Sequence, residues 1–144
     1  ILYQLQNEKP VVEKISFEPS FSDKIYFVYL NKKQSSKSAI ASYLDKQGDI
    51  SKTIKTIDSI TNKVVHATEP KEFALALQQH EIEMSNVLEL QTVQEALFDD
   101  FRGVIKSLGA WGGDFVLAIS KENPTDYFKE KGYKVVIPYQ EMIL

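Results

Sequence analysis

The chain reads as an α+β domain, with strands gathered at both ends and helices between them. Three observations carry this. The stretch "KIYFVYL" (24–30) is apolar or aromatic after its first residue, as suits a strand in the middle of a sheet. Apolar residues recur at three- and four-residue steps from Ile50 to Leu88, the period of helices. The chain closes on strand, helix and strand again. The preferred arrangement is a ferredoxin-like βαβ sandwich, a mostly antiparallel sheet with helices packed on one face. At 144 residues it is one domain, 1–144.

Each element has its own justification. "VVEKISF", Val11–Phe17, is rich in β-branched and aromatic residues and predicts a strand, broken by the Pro19 and serines of "EPSFSD". After the second strand, "NKKQSSKS" is a polar, basic turn, and Ser36 or Ser38 would cap a helix through "AIASYLDKQ". Ile50, Ile54, Ile57, Ile60 and Val64 predict the next helix. Thr68 is the expected N-cap of a third, with Pro70 in its first turn and Phe73, Leu77, Met84 and Leu88 along its buried face. Thr92 with Glu95 is a capping box, and Val93, Leu97 and Phe101 mark the side that follows as buried. "VIKSLG" and "DFVLAIS" read as two short strands. Asn123, Pro124 and Gly132 bracket a short helix, and "YKVVIP" is a last strand halted by Pro138.

Composition excludes several functions. There is no cysteine, so disulfides, thiol chemistry and zinc–thiolate sites are ruled out. A net charge of −3 argues against a general nucleic-acid binder. No apolar run approaches the roughly 18 residues of a membrane span, so no membrane partner is expected, and a cytoplasmic location is permitted. The chain opens "ILYQLQNEKP", without an initiator Met and with an aliphatic–aromatic pattern already running. The expectation is a piece of a longer protein; an omitted leader or tag is the alternative.

The chemistry concentrates in "SLGAWGGDFVLA". The chain has six glycines, and Gly109, Gly112 and Gly113 crowd into five positions of this one loop. A hairpin turn needs only one or two glycines for positive φ. This density bares successive backbone N–H groups and makes a hollow suited to phosphate oxygens. Plain turn chemistry accounts for the pattern equally well. The phosphate loop G-x-x-x-x-G-K-[ST] is absent, as is the dinucleotide fingerprint, because this loop precedes a strand. His66 and His80 read as partly exposed structural residues. Glu81, Glu83, Asp99 and Asp100 read as solvated helix faces, and no metal site is expected.

"IKSLGAWGGDFVLAI" resembles the third conserved motif of the GHMP kinases, the group of galactokinase, homoserine kinase, mevalonate kinase and phosphomevalonate kinase. That motif is a lysine, one or two small residues, then G-A-G-G-G and an apolar strand, with Asp directly after it in phosphomevalonate kinases. Lys106, Gly109, Ala110, Gly112, Gly113 and Asp114 match it, and Trp111 stands where the family has glycine. The turn in "YFVYLNKKQSSKSAI" is similar to the family's strand–turn–helix, with Lys33, Ser35, Ser36 and Lys37 on its lysine- and serine-bearing positions.

The resemblance implies a GHMP-type C-terminal domain, a ferredoxin-like sandwich. It implies that 109–114 contributes backbone donors near phosphates. Lys33, Lys37 and Lys106 would neutralise an anionic substrate, and Ser35 and Ser36 would donate hydrogen bonds, the bland alternatives being solvated lysines and a helix-capping serine. Trp111 would stack on a substrate, close the site as a lid, or pack against a helix. The family's P-x-x-x-G-L-G-S-S loop, catalytic Asp and magnesium-binding Glu belong to an N-terminal domain not found in this chain, so no catalytic residue is expected here. ATP and Mg²⁺ would be cofactors of the intact protein and would not be held by this part alone. The implied partners are a small-molecule substrate, the N-terminal domain and, through an exposed docking face, a second copy in a homodimer. Two other readings stay open: a non-catalytic ferredoxin-like ligand-binding or interaction module, and a relative that has lost kinase activity or become a decarboxylase.

Overall fold

The apolar run at 24–30 becomes a central strand because both its faces are covered. In this computed structural model, which describes residues 1–7, 9–32, 50–109, 111 and 113–143, β3 (Ile25–Tyr29) lies between two neighbours. It pairs antiparallel with β5 (Phe115–Ser120) on one side and with β6 (Val136–Pro138) on the other. β4 (Gly103–Ser107) pairs antiparallel with β5 and forms the edge, giving the order β4-β5-β3-β6. β3 and β4 are thus joined by a helical crossover with β5 inserted between them, and β5 and β6 by a second crossover around β3. Two such split βαβ units are the ferredoxin-like topology expected from the sequence.

The crossover from β3 to β4 carries α1 (Ser51–His66), α2 (Pro70–Leu88) and α3 (Val93–Leu97). That from β5 to β6 carries α4 (Thr125–Glu130), and α5 (Tyr139–Met142) follows β6 directly. Alternate residues of the strands face opposite ways. Ile25, Phe27, Leu117 and Ile119 pack with Phe73 and Leu77 of α2 and Val64 of α1. Tyr26, Val28, Val116 and Ala118 pack with Val93, Phe98, Phe101 and Phe128. The long helices take one face, as expected. The other face is not bare, as a one-sided layout would leave it: α3, α4 and an aromatic cluster cover it. Continuous burial along β3 is the physical reason, since a strand with no polar alternation needs a layer on each side.

Local signals and outcomes differ in places. The capping box at Thr92 and Glu95 is present in both directions. Pro70 opens α2, but the N-cap is Glu69, and Thr68 instead donates its N–H to the Glu72 carboxylate. α3 stops at Leu97, so exposed Leu97 yields its place in the core to Phe98, and Asp99 and Asp100 lie beyond the helix. The strand expected over Val11–Phe17 is β2 (Lys9–Glu13), and it pairs with β1 (Leu2–Gln6) in a separate two-stranded sheet. Phe17 leaves the strand to stack on Phe73. The helix expected through "AIASYLDKQ" lies outside the described residues.

Edge strand β4 is capped from the side. The Gln94 side chain donates to the Gly103 carbonyl (3.1 Å) and accepts from the Ile105 N–H (3.0 Å). One amide side chain thus imitates a neighbouring strand and blunts an edge that would otherwise template pairing.

Candidate functional site

The glycine loop joins β4 to β5. Ser107 opposite Val116 is the last pair of their ladder, and the Leu108 N–H reaches the Phe115 carbonyl just beyond it (3.1 Å). Residues 109–114 therefore form a loop longer than a tight hairpin turn needs. Gly109 sits at φ +64°, with open space where a side chain would be, so the backbone angle is what demands glycine there. Trp111 holds φ +45°, an uncommon conformation for a large residue, and Gly113 is buried. Among the described residues, no carbonyl accepts from the N–H groups of Gly109, Trp111, Gly113 or Asp114. Ala110 and Gly112 lie outside the described residues.

The sheet topology brings a second segment to this end. Leu30, at the exit of β3, donates its N–H to the Asp114 carbonyl (2.8 Å), and Asn31 turns the chain at φ +55°. The chain thus leaves β3 beside the glycine loop. Lys33, Ser35, Ser36 and Lys37 follow and lie outside the described residues. The Asp114 side chain is exposed.

Lys106, the residue expected to meet an anion, is held by a protein carboxylate. Its Nζ lies 2.9 Å from Glu81 Oε1 and donates to the Ser107 carbonyl (2.6 Å). Ser107 Oγ donates to Glu81 Oε2 (3.0 Å). Glu81 is 2% exposed, which corrects its reading as a solvated helix position. The signal was in the spacing. Phe73, Leu77, Met84 and Leu88 leave a gap at position 81, so Glu81 falls in the buried stripe. Burying its carboxylate is tolerable because an ammonium offsets its charge at one oxygen and a hydroxyl donates to the other. The Trp111 ring lies 5.9 Å from Lys106 Nζ, within cation–π range, so the loop indole rests against the pair that ties β4 to α2.

His80, next to Glu81, is half-buried, and its Nδ1 is enclosed with no hydrogen-bond partner among the described residues. Burial, and then the nearby Lys106 ammonium, push its pKa down to about 4, so the ring is neutral at pH 7. His66 is exposed, with Nδ1 2.9 Å from the Asn62 carbonyl.

The unpaired amides suit phosphate oxygens. Among the described residues no three His, Asp or Glu side chains gather as a metal site, and no helix is long and apolar enough to cross a membrane.

The fold is the expected ferredoxin-like sandwich, and it has counterparts among solved structures. It is similar to the crystal structure of the Methanococcus jannaschii mevalonate kinase, with a TM-score of 0.64 and 20% identity over 93% of this chain and 44% of that one. It is also similar to a Lin0012 protein from Listeria innocua, with a TM-score of 0.57 and 14% identity over 80% of this chain and 36% of that one. The chain spans less than half the length of either. No model of a known protein family matches it, and no curated protein does. Likeness at such identity establishes the fold alone.

Proposed function

We propose that this chain is one lobe of an ATP-dependent small-molecule kinase of the GHMP type, similar to mevalonate or phosphomevalonate kinases, and that residues 109–114 help hold the transferred phosphate. One observation carries the reading. The N–H groups of Gly109, Trp111, Gly113 and Asp114 lack carbonyl partners among the described residues, at the sheet end where the chain leaves β3 through Leu30. ATP with Mg²⁺ would supply the phosphoryl group and screen its charge; the chain's own residues position and neutralise. Amides of Gly109, Gly113 and their neighbours would donate to phosphate oxygens. Lys33 and Lys37 would meet an anionic substrate, and Ser35 and Ser36 would donate hydrogen bonds to it. Lys106, already paired with Glu81, would act chiefly by fixing the loop through Trp111.

The β1–β2 hairpin supports a second lobe. Partners across an antiparallel ladder share a face. Tyr3 with Val12 and Leu5 with Pro10, beside Ile1, make an apolar face that is exposed throughout, Leu5 at 66%. An isolated two-stranded sheet is marginal in water. Such a face is suited to dock the remainder of a longer protein.

The test uses the longer protein that carries this chain. It should consume ATP with one member of a panel of small hydroxy acids, their phosphates, sugars and homoserine. Gly109→Val and Gly112→Val should each raise the ATP requirement at least tenfold. A rate and requirement unchanged in both variants would sink the loop assignment. ATP binding without turnover on any panel member would favour a relative that has lost the activity, a reading Trp111 keeps open. No nucleotide binding at all would favour the non-catalytic module.

A further inference from the structure

A concave surface lies at the opposite end of the β4–β5 hairpin from the glycine loop. The pair Gly103–Ser120 opens that ladder and Ser107–Val116 closes it, so the two ends stand about 13 Å apart at ~3.3 Å per residue. The groove has a volume of about 560 Å³, the size of a small-molecule site. Its floor is apolar, built by Val104 and Ile119. Its rim carries four cations, Lys24, Lys71, Arg102 and Lys121.

Those charges are largely unspent. Lys24 pairs with Asp23 (2.9 Å), but Lys71, Arg102 and Lys121 have no ion-pair partner among the described residues. In a chain whose net charge is −3, three unpaired cations around one hollow are a local reversal of sign. α2 begins at the same rim with Pro70 and Lys71, and Glu72 in its first turn offsets the positive end of the helix, so the cationic character of the rim rests on its side chains.

The floor is fixed. A Cβ on Gly103 would stand 2.2 Å from the Ile119 carbonyl oxygen and 2.7 Å from the Phe101 ring, so the hollow depends on glycine there. Gln94 clamps the Gly103 carbonyl and the Ile105 N–H, holding the strand under the groove in place.

We propose that this groove binds an organic phosphate with an apolar portion, its charged end on Arg102, Lys71 and Lys121 and its carbon portion on Val104 and Ile119. A guanidinium and two ammoniums exceed what a single carboxylate neutralises and match a phosphate or diphosphate. A wholly hydrophilic anion would leave the floor unused. This site is separate from the glycine loop and does not rest on the kinase reading.

The test is isothermal titration of the full chain with n-hexyl diphosphate, inorganic pyrophosphate and hexanol. Saturable one-to-one binding of n-hexyl diphosphate is expected, at least tenfold tighter than pyrophosphate, with none for hexanol. Arg102→Gln and Lys121→Gln should each weaken it about tenfold or more, which is the usual size of a charge-assisted contact. Lys55→Gln, an exposed lysine on α1, should leave it unchanged. Amide shifts should appear at Gly103, Val104 and Ser120 and not at Gly109 or Gly113. Arg102 and Lys121 are exposed, so their variants are expected to fold. Absence of saturable binding, or binding indifferent to both Arg102→Gln and Lys121→Gln, overturns the proposal. So does binding to phosphatidylglycerol vesicles or an acidic peptide without binding of n-hexyl diphosphate, which would make the groove a macromolecular contact.

Discussion

Glu81 on α2 and Lys106 on β4 form a buried ion pair at 2.9 Å, and Ser107 completes it from the same strand. Lys106, three residues before the glycine loop, is thereby anchored to α2, the longest helix among the described residues. Helix, edge strand and loop are one mechanical unit at this end of the sheet. Removing one partner of a buried pair leaves the other charge enclosed and unpaired. Glu81→Ala is expected to cost about 3 kcal/mol in urea unfolding, while the double variant Glu81→Met with Lys106→Met recovers most of it. Trp111 is the chain's one tryptophan, so its fluorescence reports the loop directly and should shift in Glu81→Ala.

His80 makes stability depend on pH. Its pKa falls from 6.5 in the unfolded chain to about 4 in the fold, first through burial and then through Lys106. The folded state thus binds this proton more weakly than the unfolded state. The contribution is complete above pH 6.5 and is lost as pH falls from 6.5 toward 4. Unfolding midpoints measured across that window should decline, and His80→Asn should flatten the decline. An identical slope in the variant would contradict the assignment.

Two glycines should respond to alanine for different reasons. At Gly109 there is room for a side chain but φ is +64°, so Gly109→Ala should cost about 1–2 kcal/mol and Gly109→Asn less, because asparagine tolerates that region. At Gly103 the obstacle is the Ile119 carbonyl at 2.2 Å. Gly103→Ala should therefore cost about 3 kcal/mol and Gly103→Asn no less. Thermal unfolding of the four variants separates backbone strain from steric exclusion.

How much of this was legible depended on whether a signal was local. The βαββαβ order followed from periodicities, turn residues and the Thr92 capping box, all of which act within a few positions. The second helical layer was legible in the unbroken apolar run of β3, once that run is taken to require cover on both sides. Glu81 was misread because charge was given more weight than register, although its place in the Phe73–Leu88 stripe marks it as buried. The groove was illegible, because Lys71, Arg102 and Lys121 come from different elements and only the fold brings them to one rim. β1 was overlooked because a hairpin without a core behind it lacks the usual contrast between an inner and an outer face.

The same hairpin yields the last prediction. Among the described residues its apolar face belongs to no core cluster, and Leu5 and Val12 are exposed at 66% and 56%. Leu5→Lys with Val12→Lys should leave the unfolding midpoint of this chain within about 0.5 kcal/mol of the parent. Exposed apolar area on a two-stranded sheet is a site for association, so the parent should self-associate as concentration rises and the double variant should not. Sedimentation velocity across a concentration series distinguishes them. In the longer protein the outcome reverses: if the face docks a second lobe, the same two lysines enter a buried interface and lower stability by several kcal/mol, because each charge then has no partner. A double variant that is neutral in both settings would mean that the hairpin face is covered by nothing.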